Sequence, residues 1–232
     1  IWGMAFVAQS LGAVHVGPFT FLALRSWLGI LVLIPLMIRT YTRLNLNRKQ
    51  KKQVITGGVI CGLFLFLGSL FQQMGIVYTT TAKSGFITAL YMILVPILST
   101  FAGKKINKQI WLSVIIGIAG LYLLCIHGTL TSVNFGDILT FICSFMFALQ
   151  ILSVNHFVKY CHPVLLSGVQ FLTCAIIASI CMGTESVALS NIRQVLWPIL
   201  YTGIFSTGIA YTLQIVGQQK LNPTIASLAM CL

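Results

Sequence analysis

Acidic residues are almost absent from this sequence. Of its 232 residues only two are Asp or Glu, against 14 Lys or Arg, and charged residues make up 7% of the chain. Soluble domains are about 25% charged and about 45–50% apolar, whereas this chain is 58% hydrophobic. So few charges cannot cover a surface that faces water, which excludes an ordinary soluble domain and predicts a protein that crosses the bilayer several times.

The sequence also lacks the motifs of several enzyme and pump classes. It contains no GxSxG, no HExxH and no P-loop, so it offers no support for a serine hydrolase, a zinc peptidase or an ATP-driven pump. None of the seven cysteines forms a CxxC pair, and most lie in apolar stretches, which favours helix packing over metal or disulfide chemistry. We therefore expect no enzyme activity, no cofactor and no metal.

Long apolar runs account for most of the chain. A helix rises about 1.5 Å per residue, so about 20 apolar residues cross a bilayer, and helices are favoured because lipid cannot satisfy free backbone groups. The runs predict seven complete spans and two incomplete ones. The complete spans are 18–38, 54–77, 82–102, 109–127, 135–155, 162–182 and 194–216, and the incomplete ones are 1–14 and 222–232.

Basic residues are concentrated in the loops of one side. Six Lys or Arg lie in RTYTRLNLNRKQKKQ at 39–53, and most of the others follow alternate spans. Because cytoplasmic loops are enriched in Lys and Arg, we expect this segment and the N-terminus to be cytoplasmic, in a multi-pass protein of the cell membrane. Nucleic-acid binding is a remote alternative, and we expect no nucleic-acid partner.

Two pairs of segments suggest an internal repeat. LFQQMGIVYTTTAKSGFITAL at 70–90 aligns with 212–232, and GPFTFLALR at 17–25 aligns with HPVLLSGVQ at 162–170. The paired segments lie five spans apart, and since five is odd, the two copies would cross the membrane in opposite directions. The sequence predicts an all-α membrane fold of ten helices in two inverted repeats of five. Residues 1–127 would form the first repeat, with helix 1 incomplete, and 128–232 the second, with helix 9 incomplete and helix 10 missing.

Four stretches resemble a known family. WGMAFVAQ at 2–9, GPFTFLALR at 17–25, YTTTAKSGFITALYMILVPIL at 78–98 and LNPTIASL at 221–228 are similar to the EamA-like branch of the drug/metabolite transporter superfamily. The resemblance implies two inverted EamA repeats around a central cavity that opens alternately to each side. It also implies transport of a small metabolite, with export the expected direction, but it does not identify the substrate.

Polar side chains within the predicted spans are candidates for the cavity wall, because such side chains need partners and often mark transport pathways. In the resembled family the first, third and fourth spans of each half line the cavity. The amides could bind a zwitterion, a base or a sugar, or could join helices at about 0.6 kcal/mol per bond. The tyrosines could stack on a substrate or be core aromatics. Tyr211, which has Thr207 four residues before it, leaves the same two interpretations open. The candidates are Gln9, Gln72, Gln73, Thr88, Tyr91, Gln150, Tyr211 and Gln214.

Charged residues and prolines within spans have open interpretations. For Arg25 we favour a structural role, in which the side chain extends to the bilayer surface, caps carbonyls or reaches Asp137. Lys83 is expected to extend to the interface, with a clamp for a substrate carboxylate as the alternative. Pro96 predicts a static bend or a gating kink, and Gly58-x-x-x-Gly62 predicts close helix packing.

The two acids, Asp137 and Glu185, fall at or beyond the predicted outer boundary. Because proton coupling usually uses a buried acid or His, we expect facilitated diffusion or exchange. The alternative function is a membrane-embedded sensor or enzyme, which would need a soluble output domain or clustered catalytic groups at lipid depth. The expected partners are a small-molecule substrate and the lipid bilayer, in a monomer or homodimer.

Overall fold

The computed structural model describes residues 1–101, 103, 108–125, 134–186 and 188–230, and within these ranges the regular elements are all helices. There are twelve α-helices and one π-helix among the described residues. The α-helices are α1 Trp2–Ala13, α2 Pro18–Arg43, α3 Arg48–Tyr78, α4 Thr81–Ala89, α5 Tyr91–Phe101, α6 Lys108–Cys125, α7 Phe135–Phe157, α8 Pro163–Met182, α9 Leu189–Gln194, α10 Leu196–Tyr201, α11 Tyr211–Gln218 and α12 Pro223–Ala229, and the π-helix is Thr202–Ala210.

Six helical segments in the described part of the chain are long and apolar enough to cross a membrane. They are Pro18–Arg43, Arg48–Tyr78, Thr81–Phe101, Phe135–Phe157, Pro163–Met182 and Leu196–Gln218. The prediction of an all-α membrane fold is confirmed. The predicted spans 1–14, 109–127 and 222–232 correspond to α1, α6 and α12, although 126–127 and 231–232 lie outside the described residues, as does 102 at the end of 82–102.

The span Thr81–Phe101 is divided at Leu90 rather than at its proline. The Leu90 N–H donates to the Ile87 carbonyl at 3.1 Å, and the Leu90 carbonyl accepts from the Ile93 N–H at 2.9 Å. These bonds join residues three apart, so the chain tightens locally between α4 and α5. Pro96 lies within α5, and the predicted proline bend is therefore not what interrupts this span.

The span Leu196–Gln218 contains the π-helix. A π-helix adds a residue to each turn, and such segments are frequent at functional sites. The Tyr211 N–H donates to the carbonyl of Ser206, five residues earlier. Ser206 therefore takes the place, relative to Tyr211, that Thr207 would hold in a regular α-helix.

Glycines let three long helices approach closely. A Cβ at Gly62 of α3 would lie 2.6 Å from the Thr173 Cβ of α8, so the predicted packing role of Gly58-x-x-x-Gly62 is confirmed. At the crossing of α3 and α7, a Cβ at Gly136 would lie 2.6 Å from the Gly75 carbonyl oxygen. Lipid gives no hydrophobic drive for helix association, so close contacts of this kind supply much of the attraction between helices.

The starts of α2, α4 and α7 and the end of α8 lie at one end of the bundle, here called the Asp137 end. The Asp137 carboxylate is 5% exposed and accepts from Lys83 Nζ at 2.5 Å and from Thr79 Oγ1 at 2.7 Å. Its Oδ2 also accepts from the Asn134 N–H at 2.9 Å. Lys83 therefore joins α4 to α7, with its ammonium group engaged by Asp137 instead of held ready for a substrate carboxylate, and its expected place at the interface stays a prediction.

The Glu185 carboxylate caps α2 at the same end. It accepts from the Phe19 N–H at 3.0 Å, the Thr20 N–H at 2.9 Å and the Thr20 hydroxyl at 2.6 Å. A negative group at a helix N-terminus satisfies free N–H groups and matches the positive end of the helix dipole. The connection after α8 is thereby tied to the beginning of α2.

Replacing Glu185 with alanine should lower the free energy of unfolding by about 1–2 kcal/mol, because two N–H groups of α2 lose their acceptor. Reversible unfolding of the purified full-length protein in mixed micelles measures this change. Ser186→Ala, at the exposed neighbouring residue, is the matched control and should leave stability unchanged. Equal stabilities for the two variants would show that the cap does not stabilise the fold.

Candidate functional site

A cavity of about 210 Å³ lies at the centre of the bundle. Residues from both predicted repeats line it, on helices α1 to α5, α7, the π-helix and α11, with Met230 after α12. The wall combines aromatic rings, amides, small residues and one guanidinium. The lining residues are Trp2, Gly3, Ala5, Phe6, Gln9, Arg25, Gln72, Gly85, Thr88, Ala89, Tyr91, Phe147, Gln150, Ile151, Ser206, Tyr211, Gln214 and Met230.

All but one of the side chains predicted from the sequence border this cavity. The exception is Gln73, whose Nε2 donates to the backbone carbonyl of Gln9 at 3.1 Å and so joins α3 to α1. The residues brought together are Gln9, Gln72, Thr88, Tyr91, Gln150, Tyr211 and Gln214. Their role in binding a substrate stays a prediction.

The cavity amides are held by hydrogen bonds between helices. Gln214 Nε2 donates to Gln150 Oε1 at 3.3 Å, and Gln150 Nε2 donates to Gln170 Oε1 at 3.0 Å. These bonds form a row of amides from α11 through α7 to α8. Elsewhere on the wall, Gln72 Nε2 of α3 donates to the Thr88 hydroxyl of α4 at 3.3 Å. The amides therefore both join helices and present fixed polar groups to the cavity.

Tyr211 is fixed between two aromatic rings. Its ring centroid lies 5.4 Å from that of Trp2 and 6.2 Å from that of Phe171, spacings typical of favourable aromatic pairs. Ser206, not Thr207, accompanies it at the cavity. Thr207 instead packs on Gly29 of α2, where a Cβ would lie 2.6 Å from Thr207 Cγ2. Thr207, four residues before Tyr211, is therefore not its neighbour on the cavity wall, because the π-helix changes the register of that wall.

Arg25 lies at the cavity, buried to 5% exposure. Its Nη1 donates to Gln9 Oε1 at 3.2 Å, and its Nε has no hydrogen-bond partner among the described residues. It does not reach Asp137, which pairs with Lys83, and its side chain turns into the bundle instead of extending to the surface. Both of those expectations for Arg25 are wrong.

Several lining residues were not identified from the sequence. The rings of Trp2, Phe6 and Phe147 look like ordinary apolar residues of a span, and no pattern separates them from residues that face lipid. Gln170 does not line the cavity but accepts a hydrogen bond from Gln150, which does. It could have been identified from the sequence, since an amide at lipid depth needs a partner. The position of Arg25 at the cavity could also have been suspected, because it is a basic residue within a span that has no acid nearby in the sequence.

The geometry describes a membrane-embedded helical bundle around a small, partly polar chamber. The described part of its wall offers hydrogen-bond donors and acceptors, aromatic faces and one positive charge, which are groups that bind a small solute. Such a chamber, between helices contributed by both predicted repeats, is the arrangement of a solute carrier.

The sequence matches the model of the EamA-like transporter family over residues 1–126 and 134–232, and the chain belongs to that family. The resemblance seen in the sequence is thereby confirmed. The division of the chain into repeats at 127 and 128 stays a prediction.

Relatives and a solved structure agree with this assignment. An "Uncharacterized transporter" of Archaeoglobus fulgidus is 27% identical over 215 residues, which is 92% of this chain. The chain spans 65% of the length of that relative. "Uncharacterized transporter YoaV" of Bacillus subtilis is 21% identical over 99% of this chain and 80% of its own length. A solved crystal structure with 18% sequence identity superposes with a TM-score of 0.72 over 99% of this chain and 82% of that chain, a likeness in fold.

Proposed function

We propose that the protein exports a small metabolite across the cell membrane and binds it in the central cavity. The observation that carries this proposal is the convergence of Gln72, Gln150 and Gln214 on one chamber, since these amides come from three different helices. Buried amides that face a chamber are available to a solute that enters it. The protein would act as a carrier and not as an enzyme.

The mechanism we infer is alternating access, in which the two predicted halves rock about the bound solute. Two places near the cavity depart from regular α-helix, namely Leu90 and the π-helix Thr202–Ala210. Such interruptions are where helices bend, because the backbone hydrogen-bond ladder is already broken there. At the Asp137 end, the Lys83–Asp137 pair joins α4 to α7, and its release would allow that end to open.

We infer the orientation in the membrane from the distribution of basic residues. The exposed basic residues between Arg39 and Lys52 would hold that segment in the cytoplasm, and the N-terminus with it. The Asp137 end would then face outward, and the partners would be a small-molecule substrate and the bilayer, without nucleic acid, in a monomer or homodimer. Labelling of single cysteines introduced at 39–53 in intact cells tests this orientation, and labelling from outside would contradict it.

Reconstitution tests transport itself. The full-length protein, purified and placed in liposomes, should move labelled solutes from a panel of neutral, anionic and cationic metabolites. The reference is liposomes that contain the protein denatured before reconstitution. Rates equal to the reference for every solute in the panel would contradict the proposed function.

Transport should not depend on a pH gradient. Both acids of the sequence are engaged at the Asp137 end, Asp137 with Lys83 and Glu185 with α2, so neither lies at the cavity to carry a proton. Collapsing the pH gradient with a proton–potassium exchanger, while valinomycin and potassium clamp the membrane potential, should leave the transport rate unchanged. A parallel loss of transport would establish proton coupling.

A further inference from the structure

We propose that the transported solute is a small organic anion with a single carboxylate, and that this carboxylate binds the Arg25 guanidinium in the cavity. The inference rests on the proposed function and names its substrate class. It starts from the state of Arg25, whose one hydrogen bond to another described residue is to the neutral amide of Gln9.

A buried cation needs compensation. Removing a charge from water costs several kcal/mol unless an opposite charge or a full set of hydrogen bonds replaces the water. Arg25 is 5% exposed, and its Nε lacks a partner among the described residues. Because the guanidinium lines the cavity, a ligand in the cavity can supply what the protein does not.

The acids of this sequence do not supply the compensation. There are only two, and both are described. Asp137 forms the one cation–carboxylate pair found within the described ranges, with Lys83, and Glu185 caps α2. Because Arg25 lines the cavity and neither described acid reaches it, we assign the negative charge that complements it to the solute.

The repeat shows that packing alone does not require the charge. In the alignment of 17–25 with 162–170, Arg25 stands opposite Gln170. Each lies seven residues after the proline that begins its helix, Arg25 in α2 and Gln170 in α8. Each also bonds to a glutamine that lines the cavity on another helix, Arg25 to Gln9 and Gln170 to Gln150. A neutral amide thus joins two helices at the matching position, accepting a hydrogen bond where Arg25 donates one, so a contact between helices does not by itself require the positive charge.

The rest of the wall fits an organic monocarboxylate. No acid lines the cavity, so nothing among the described residues would pair with the ammonium group of a cationic solute. A dianion would leave one charge uncompensated, because Arg25 is the single cation among the described residues of the wall. The rings of Trp2, Phe6 and Phe147 provide an apolar surface for the carbon skeleton.

The test uses the full-length protein in liposomes with a panel of labelled monocarboxylates, each paired with its primary amide and its amine of the same skeleton. Lactate and lactamide, and 4-hydroxybenzoate and 4-hydroxybenzamide, are examples of such pairs. We expect carboxylates to be transported in preference to their amides. Arg25→Gln should reduce carboxylate transport about 10- to 100-fold, the worth of a charged hydrogen bond, and Arg25→Lys should restore part of it.

Arg39→Gln is the matched control, since it makes the same change at an exposed position of the same helix, and it should transport at the wild-type rate. Transport of amides or amines only, or carboxylate transport that survives in Arg25→Gln, would overturn the anion assignment while leaving the carrier function in place. Transport of no solute at all by the wild type would refute the carrier function instead. If Arg25→Gln does not fold, the wild type alone tests the anion assignment. Preference for carboxylates over their amides would support it, and the reverse preference would overturn it.

Discussion

Replacing Gly136 with leucine should leave almost no folded protein. Gly136 lies in the first turn of α7, against α3, and a Cβ there would lie 2.6 Å from the Gly75 carbonyl oxygen and 2.8 Å from the Tyr78 Cβ. The Gly75 atom belongs to a helix backbone and cannot rotate away as a flexible side chain could. The helices would have to separate, and α3 and α7 are the pair in the described chain that packs most extensively.

The expected cost is about 3 kcal/mol or more, since overpacking of a tight site usually costs about 1–3 kcal/mol even when side chains can adjust. That is a large part of the total stability of a typical domain, which is about 5–15 kcal/mol. The yield of monodisperse full-length protein in mild detergent measures the effect. Gly217→Ala is the matched control for Gly136→Ala in this comparison of yields, because a Cβ at Gly217 meets nothing within 4 Å. Wild-type yield of Gly136→Leu would show that the helices do not cross as closely as described.

Replacing Gln150 with leucine should reduce transport at least about tenfold. Gln150 is 1% exposed, lines the cavity, and bonds to Gln170 and Gln214 at once. Leucine keeps roughly the same volume but leaves Gln170 Oε1 and Gln214 Nε2 without their partner. Each buried polar atom left unpaired costs about 1–3 kcal/mol, so the amide row would rearrange and the cavity would lose its polar groups on this side. Uptake into liposomes at matched protein amounts measures the change.

Gln218→Leu is the control for this prediction. Gln218 is also buried, at 1% exposure, but neither of its amide atoms has a hydrogen-bond partner among the described residues, and it does not line the cavity. Replacing an unpaired buried amide by an apolar group of similar shape should be neutral or stabilising. Equal transport by Gln150→Leu, Gln218→Leu and the wild type would show that Gln150 does not contribute to transport, although it lines the cavity.

The positions of the spans could be predicted from the sequence because bilayer thickness and the need to satisfy backbone groups impose long apolar helices. The polar residues of the cavity could be predicted for a related reason, since an amide such as Gln72 or Gln150 is costly at lipid depth without a partner. Depth alone does not say which way a side chain points. Gln73 is an example: it follows Gln72 in the chain, but its side chain bonds to the α1 backbone and does not line the cavity.

The irregular parts of the helices could not be predicted. Ser206 and not Thr207 lies at the cavity because of the π-helix. Thr207 packs instead on Gly29, which belongs to a helix distant in the sequence. The pairing of Lys83 with Asp137 joins residues 54 positions apart, and nothing local distinguishes it from a pairing of Arg25 with Asp137. Such details depend on how the helices are placed together, which the hydrophobic pattern does not specify.

The single positive charge at Arg25 has an electrical consequence for the proposed carrier. With a monovalent anion bound, the described wall of the chamber would be neutral overall, whereas the empty chamber would keep the charge of Arg25. The membrane voltage would then act on the return of the unloaded carrier, with up to about 2.3 kcal/mol per 100 mV for a charge that crosses the whole field. An interior-negative voltage would draw the unloaded site back toward the cytoplasm, ready for the next anion, and would so favour outward delivery without a coupling ion.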